Sequence, residues 1–429
     1  MSSLLSLSGQ ADPRDYVLKD WTSKKLGEIC TIFGGGRLGL TKEKDYQSSG
    51  VQAFSAAGPD GFVEVVEIVD GDGVILSAIG AHCGKCFFAT GTWTTLANVR
   101  AIIPDVTLNA KYLFYYVNRE GYWEKSGSAQ PFVKPSSVKS SWVVYPPSTF
   151  EQARIAEVLS TVDRAIEQTE ALIAKQERIK TGLMQDLLTR GIDEHGNLRS
   201  ESTHQFKDSA LGRIPVEWEP TTIDSLAAFV TSGSRGWAKF YAVEGDRFLR
   251  IGDLTRNHIN FRHDDIAYVC PPASSEGKRT AVETGDVLIS ITADLGIIGV
   301  VPEGFGTAYV NQHIALVRIK PEAANPRFIG WYLSSIGGQR QFVEVNESGA
   351  KAGLNLPTIR KMRLPIHRDS VRGRVEQDRI VSYLDQATEN VEKAIKTRDK
   401  LVHLKTGLMQ DLLTGKKRVT PLLELAEAH

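Results

Sequence analysis

The ten residues KTGLMQDLLT occur twice, at 180–189 and at 405–414. They end two longer stretches, 151–189 beginning EQARIAEVL and 376–414 beginning EQDRIVSYL, which align without a gap at an offset of 225 positions. An identical ten-residue string in such a register marks an internal duplication, and a duplication constrains the architecture before any motif does. Both stretches read as helices. Ile155, Leu159, Val162, Ile166, Ile173, Ile179, Leu183 and Leu187 recur mostly at three- and four-residue steps, as do Ile380, Leu384, Ala387, Val391, Ala394, Leu401, Leu404, Leu408 and Leu412. This is the apolar seam of a helix that packs along another. No proline interrupts either stretch, and about 39 residues at 1.5 Å each give a rod of roughly 60 Å. A lone helix cannot bury such a seam. An antiparallel pair within the chain would place two globular domains at opposite ends; two separate surface helices, each on its own domain, are the alternative.

The segments before the helices are related more loosely. Each opens near a tryptophan, Trp21 in DWTSKKLGEI and Trp218 in IPVEWEPTTIDSL. GDGVILSAIGAHCGKCFFA (71–89) and GDVLISITADLGIIGVVPE (285–303) both pass from Gly-Asp into a strand-like run, a small-residue loop and a second strand. Aromatic helical stretches follow at 111–125 and 326–342, then extended Pro-containing segments at 142–152 and 362–377. The length, 429 residues, suits two domains. The expected fold class is α+β: two mixed α/β domains joined by two long antiparallel helices that form a coiled-coil spacer, with internal pseudo-twofold symmetry. The expected divisions are a first domain at 1–150, a spacer helix at 151–190, a linker at 191–217, a second domain at 218–375, a second spacer helix at 376–414 and a tail at 415–429.

The carriers of a family resemblance are GDVLIS, LGIIGVVPE and YVNQHIALVRI within 285–319, the EQ-x-R-I junctions, and the KTGLMQDLLT helix ends. With these the chain resembles, over nearly its whole length, the DNA specificity (S) subunit of type I restriction–modification enzymes. The match is loosest at 82–100. The resemblance implies two target-recognition domains, each reading half of a split, asymmetric site on double-stranded DNA. It implies a helical spacer that docks two methyltransferase (modification) subunits, and it allows translocating nuclease (restriction) subunits to join. It implies no catalysis and no cofactor in this chain, since S-adenosylmethionine, ATP and Mg serve other subunits of the resembled complex.

The residues themselves agree with a non-enzymatic reading. Cys83-Gly-Lys-Cys86 lacks the second ligand pair of a zinc site, and the strand-like FFAT after it does not suit a redox motif. GAHCGK is too short for a phosphate-binding P-loop, and neither H-E-x-x-H nor G-x-S-x-G occurs. Val144-Tyr145-Pro146-Pro147 has the wrong order for an adenine methyltransferase loop. Cys30, Cys83, Cys86 and Cys270 are too few and irregular for a disulfide framework, no apolar run is long enough to span a membrane, and the N-terminus lacks a secretory pattern. A cytoplasmic location is expected.

Net charge is zero, from 51 basic and 51 acidic residues, which excludes coating of nucleic acid by bulk positive charge. Binding must then use local patches; 340–374 carries eight Lys/Arg against three acidic residues. Residue types able to contact phosphates and base edges fall in glycine-rich loops. In the first domain they are Arg37, Lys42, Lys44, Ser77, Lys85, Asn98, Arg100, Lys125, Gln130 and Lys134. In the second they are Ser232, Ser234, Arg235, Trp237, Lys239, Arg247, Arg250, Asn311, Gln312, His313, Lys351 and Asn355. The repeated helix ends nominate Lys180, Met184, Gln185, Leu188, Lys405, Met409, Gln410 and Leu413 as partner-binding residues, with packing of the helix pair against itself as the other explanation of their identity. The competing function is a helical scaffold that holds two copies of a partner without touching DNA.

Overall fold

The computed structural model describes residues 18, 20–68, 70–233, 235–262, 265–271, 275–347 and 354–419. Two long helices dominate it, Thr149–Thr189 and Ser370–Leu412. The chain divides into two compact units. One combines the residues up to 170 with those from 396 on; the other is 171–395. Each unit therefore holds one mixed domain and a half of each long helix.

In the first unit a four-stranded antiparallel sheet runs in the order Cys30–Gly34, Val99–Pro104, Gly73–Ser77, Cys86–Ala89. Gly73–Ser77 is buried along its whole length because both faces are covered. Val74 and Leu76 join the core around Trp21, while Ile75 joins a second core around Trp93. A continuous apolar run, rather than an alternating one, is the expected pattern for such a strand. A smaller sheet (Gly58–Val63, Val51–Ser55, Trp93–Thr95) contains one parallel pair. Helix Ala110–Val117 is capped by the Asn109 side chain, and Thr22–Lys25 pairs with Trp142–Tyr145 at the base.

The second unit repeats this plan. Its main sheet is Ala227–Ser232, Ile314–Ile319, Val287–Ser290, Ile298–Val300, and its smaller sheet again contains one parallel pair, Asp246–Leu249 with Ala308–Val310. Asn325 caps helix Pro326–Ser334, and Trp218–Thr222 pairs with Arg363–His367 at the base. The aromatic helical stretches are shorter than expected. The first stops at Val117, and the second breaks at Ser335 into Pro326–Ser334 and Ile336–Glu347. The segment after the first long helix also folds: Ile192 bridges Leu198, and Phe206–Ser209 forms a hairpin with Gly212–Pro215.

The long helices run antiparallel in each unit. In the first, Lys405 pairs with Asp163 at 2.6 Å, and Leu412 and Leu413 enter the core with Trp21, Ile155 and Leu159. In the second, Leu187 and Leu188 enter the core with Trp218, Ile380 and Leu384. Ile179 and Leu404, which the periodicity places in the seam, are instead exposed. Among the described residues no helix is long and apolar enough to cross a membrane.

Candidate nucleic-acid interface

The EQ-x-R-I junctions hold each domain on its helices. Glu376 is buried; its carboxylate receives Arg199, the backbone N–H of Ile192 at 2.9 Å and the indole N–H of Trp218 at 3.1 Å. Gln377 accepts from the backbone N–H of the capping residue Asn325 at 2.7 Å, and Ile380 lies fully in the core. In the first unit Glu151 receives Arg418 through two bonds of 2.6 and 2.7 Å, and Gln152 accepts from the N–H of Asn109 at 2.7 Å. The arginines had no motif to announce them; only their position a few residues past each repeated helix end is shared.

At the end of each main sheet away from this base, loops meet in one pattern. In the second domain the N–H of Ile291 donates to the carbonyl of His313, and the N–H of Leu354 to that of Ile291, both at 2.9 Å. In the first domain Ala78 donates to Asn98, and Val133 to Ala78, with the same lengths. A Cβ at Gly233 would overlap the carbonyl of Asn311, and one at Gly35 would overlap that of Leu96. Each glycine is followed two residues later by an arginine, Arg235 or Arg37. This end gathers Asn98, Lys85, Lys125 and Gln130 in one domain. In the other it gathers Ser232, Arg235, Asn311, Gln312 and His313. Lys85 and Lys125 line one hollow of about 370 Å³ together with His82. Arg100 lies on the adjoining strand, its Nε buried without a hydrogen-bond partner. Such uncompensated cations beside glycine-rich turns suit a polyanion.

A family model described as the type I restriction modification DNA specificity domain matches residues 18–178 and again 215–400. The chain belongs to that family. The specificity subunit named MjaVIII from Methanocaldococcus jannaschii is 21% identical over 430 residues, covering 95% of each chain. That named EcoBI from Escherichia coli is 24% identical over 309 residues, 66% of this chain and 63% of its own. The type I S subunit structure from M. genitalium superposes with a TM-score of 0.61 at 15% identity, over 95% of this chain and 99% of its own. The protein is thus a type I restriction–modification DNA specificity subunit, and the family assignment does not favour a scaffold without DNA.

Within this specificity subunit several nominated residues are engaged in structure. Trp237 is buried and stacks on Phe248, 5.8 Å between centroids, so it reads no base. Ser77 is fully buried beneath its turn. Asn355 is a helix cap, accepting from the N–H of Thr358 at 2.9 Å. Asn311 accepts from the N–H of His313 at 3.1 Å and shapes the turn. Arg247 donates to the Phe305 carbonyl at 2.8 Å, and Arg250 to that of Asp265 at 2.6 Å. Arg37 pairs with Glu67 at 3.0 Å, and Lys42 with Asp60. Lys44, Lys134 and Lys239 are exposed. Ser234 and Lys351 lie outside the described residues.

The helix-end nominees divide likewise. Leu188 and Leu413 are buried in the cores, and Lys180 donates to the Asn257 carbonyl at 2.6 Å, so these three present no docking surface. Lys405 is taken by Asp163, while Met184 and Met409 pack partly against the cores. Gln185 and Gln410 are exposed. Packing of the helix ends onto the domain bases therefore accounts for most of the repeat's identity. Cys83 and Cys86 are buried as well. Cys86 receives the Trp123 indole N–H at 3.3 Å, and burial pushes its thiol up to about 12, far from a reactive thiolate.

Proposed function

We propose that this specificity subunit reads a split, asymmetric double-stranded DNA site, one half with the domain at 1–150 and the other with the domain at 218–375. The observation that carries this reading is the shared loop framework at the ends of the two main sheets. The backbone hydrogen bonds and the glycine packing are the same, while the side chains displayed differ. Two readers built alike but displaying different groups suit two different half-sites. Zero net charge then confines phosphate contacts to these loop clusters. The long helices serve as the spacer, and a methyltransferase subunit docks on each helix end through the faces carrying Gln185 and Gln410. The subunit is non-catalytic and acts in the cytoplasm; S-adenosylmethionine, ATP and Mg belong to its partners, among them any restriction subunits. The test is a genome-wide map of methylated adenines in cells with and without this chain and its methyltransferase. A bipartite motif that vanishes when the chain is deleted is expected. A map unchanged by deletion defeats the reading.

A further inference from the structure

The two loop frameworks correspond residue by residue, which identifies the positions where they differ. The hydrogen bond from Ile291 to His313 matches that from Ala78 to Asn98, so His313 occupies the place of Asn98. Gln312 then takes the place of Ala97, and Thr292 that of Ile79. Gly233 packs on the Asn311 carbonyl as Gly35 packs on that of Leu96, which sets the same register independently. Backbone contacts are shared, yet the three displayed side chains are Thr, Gln and His in one domain and Ile, Ala and Asn in the other.

In the second domain these three side chains form a relay. The Gln312 amide nitrogen lies 3.1 Å from His313 Nε2, and His313 Nδ1 lies 2.7 Å from Thr292 Oγ1. An amide nitrogen only donates, so His313 Nε2 accepts and Nδ1 carries the proton toward Thr292. The turn bearing Thr292 is held in turn: Ser290 Oγ donates to the Asp294 carbonyl at 2.5 Å and accepts from the N–H of Ile297 at 2.8 Å. Between them Ala293 sits at φ 57°, a left-handed conformation that a non-glycine residue keeps only where its surroundings enforce it. With one amide hydrogen spent on His313, Gln312 retains a carbonyl oxygen and a second N–H side by side. That pair matches the N6 donor and N7 acceptor of adenine in the major groove. Arg235, exposed on the loop that Gly233 anchors, supplies a cation for the adjoining phosphate.

Resting on the DNA-reading function proposed above, we infer that Gln312 reads an adenine in the half-site of the second domain. His313 and Thr292 are positioning residues that fix its amide. The experiment uses the full complex with its methyltransferase, assayed by methylation mapping and by competition binding of duplexes varied at each base. Gln312→Ala relaxes a single position of one half-site, with discrimination there falling about 5- to 150-fold. Gln312→Glu moves that position toward cytosine, whose N4 amine a carboxylate accepts, an outcome that misfolding cannot mimic. Thr292→Val relaxes the same position, and Thr292→Ser keeps it. An unchanged motif in Gln312→Ala, or a uniform loss over all sequences with no new preference in Gln312→Glu, overturns the inference. A wild-type complex that methylates without sequence preference would instead sink the DNA-reading function itself.

Discussion

Glu376 and Glu151 occupy equivalent places, but their surroundings set different energies. The Arg199–Glu376 pair is 7% exposed on both sides, and Trp218 and Ile192 complete its hydrogen bonds. Arg418, the counterpart of Arg199, is 32% exposed and shared with Asp20. Removing one partner of a buried pair strands a charge and costs about 3–5 kcal/mol, whereas water screens a half-exposed one. Arg199→Ala is therefore expected to lower stability by about that amount, and Arg418→Ala by distinctly less. Urea unfolding of the two variants decides it; equal losses would contradict the argument. At this scale little was legible beforehand. The EQ dipeptides were visible as repeats, but the arginines they hold were not, because the pairing joins residues 177 and 267 positions apart. Trp237 misled for the same reason. An aromatic in a loop looks like a reader until a sheet closes over it.

At the scale of elements, the helices were legible because an amphipathic helix writes its seam into the sequence at a fixed period. Their burial is uneven. Ile155 and Leu159 at one end, and Ile380 and Leu384 at the other, lie in domain cores, while Ile166, Ile173 and Leu401 between them are only half-buried. The middle is thus the place where length can change with least damage to either core. Removing seven residues from each helix, 168–174 and 396–402, keeps the heptad phase and shortens each by about 10 Å. As a spacer the pair is then expected to alter the gap between half-sites by about three base pairs, at 3.4 Å each. Methylation mapping reads the gap directly, and an unaltered gap would argue against the spacer role. The aromatic helices were overestimated, since their apolar periodicity continues past Val117 and Ser334 into turns that tertiary contacts impose.

For the whole molecule, equal numbers of basic and acidic residues make binding depend on a few placed cations rather than on a general field. The affinity of the complex for its site is expected to fall linearly with log salt. Arg235→Ala should reduce that slope by about one, with the motif unchanged. A changed motif would make Arg235 a reader rather than a phosphate contact. The sequence alone determined the duplication, the two long helices and the family, because each is written in local or repeated patterns. Only the tertiary structure decided what the repeated ends are for. Leu187 and Leu188 follow the helix of the first domain, yet they bury in the core built on Trp218; Leu412 and Leu413 follow the second, yet they bury in the core built on Trp21. Periodicity shows that a leucine must be covered. Which core covers it depends on contacts between residues far apart in the chain, and these form only when the helices run antiparallel.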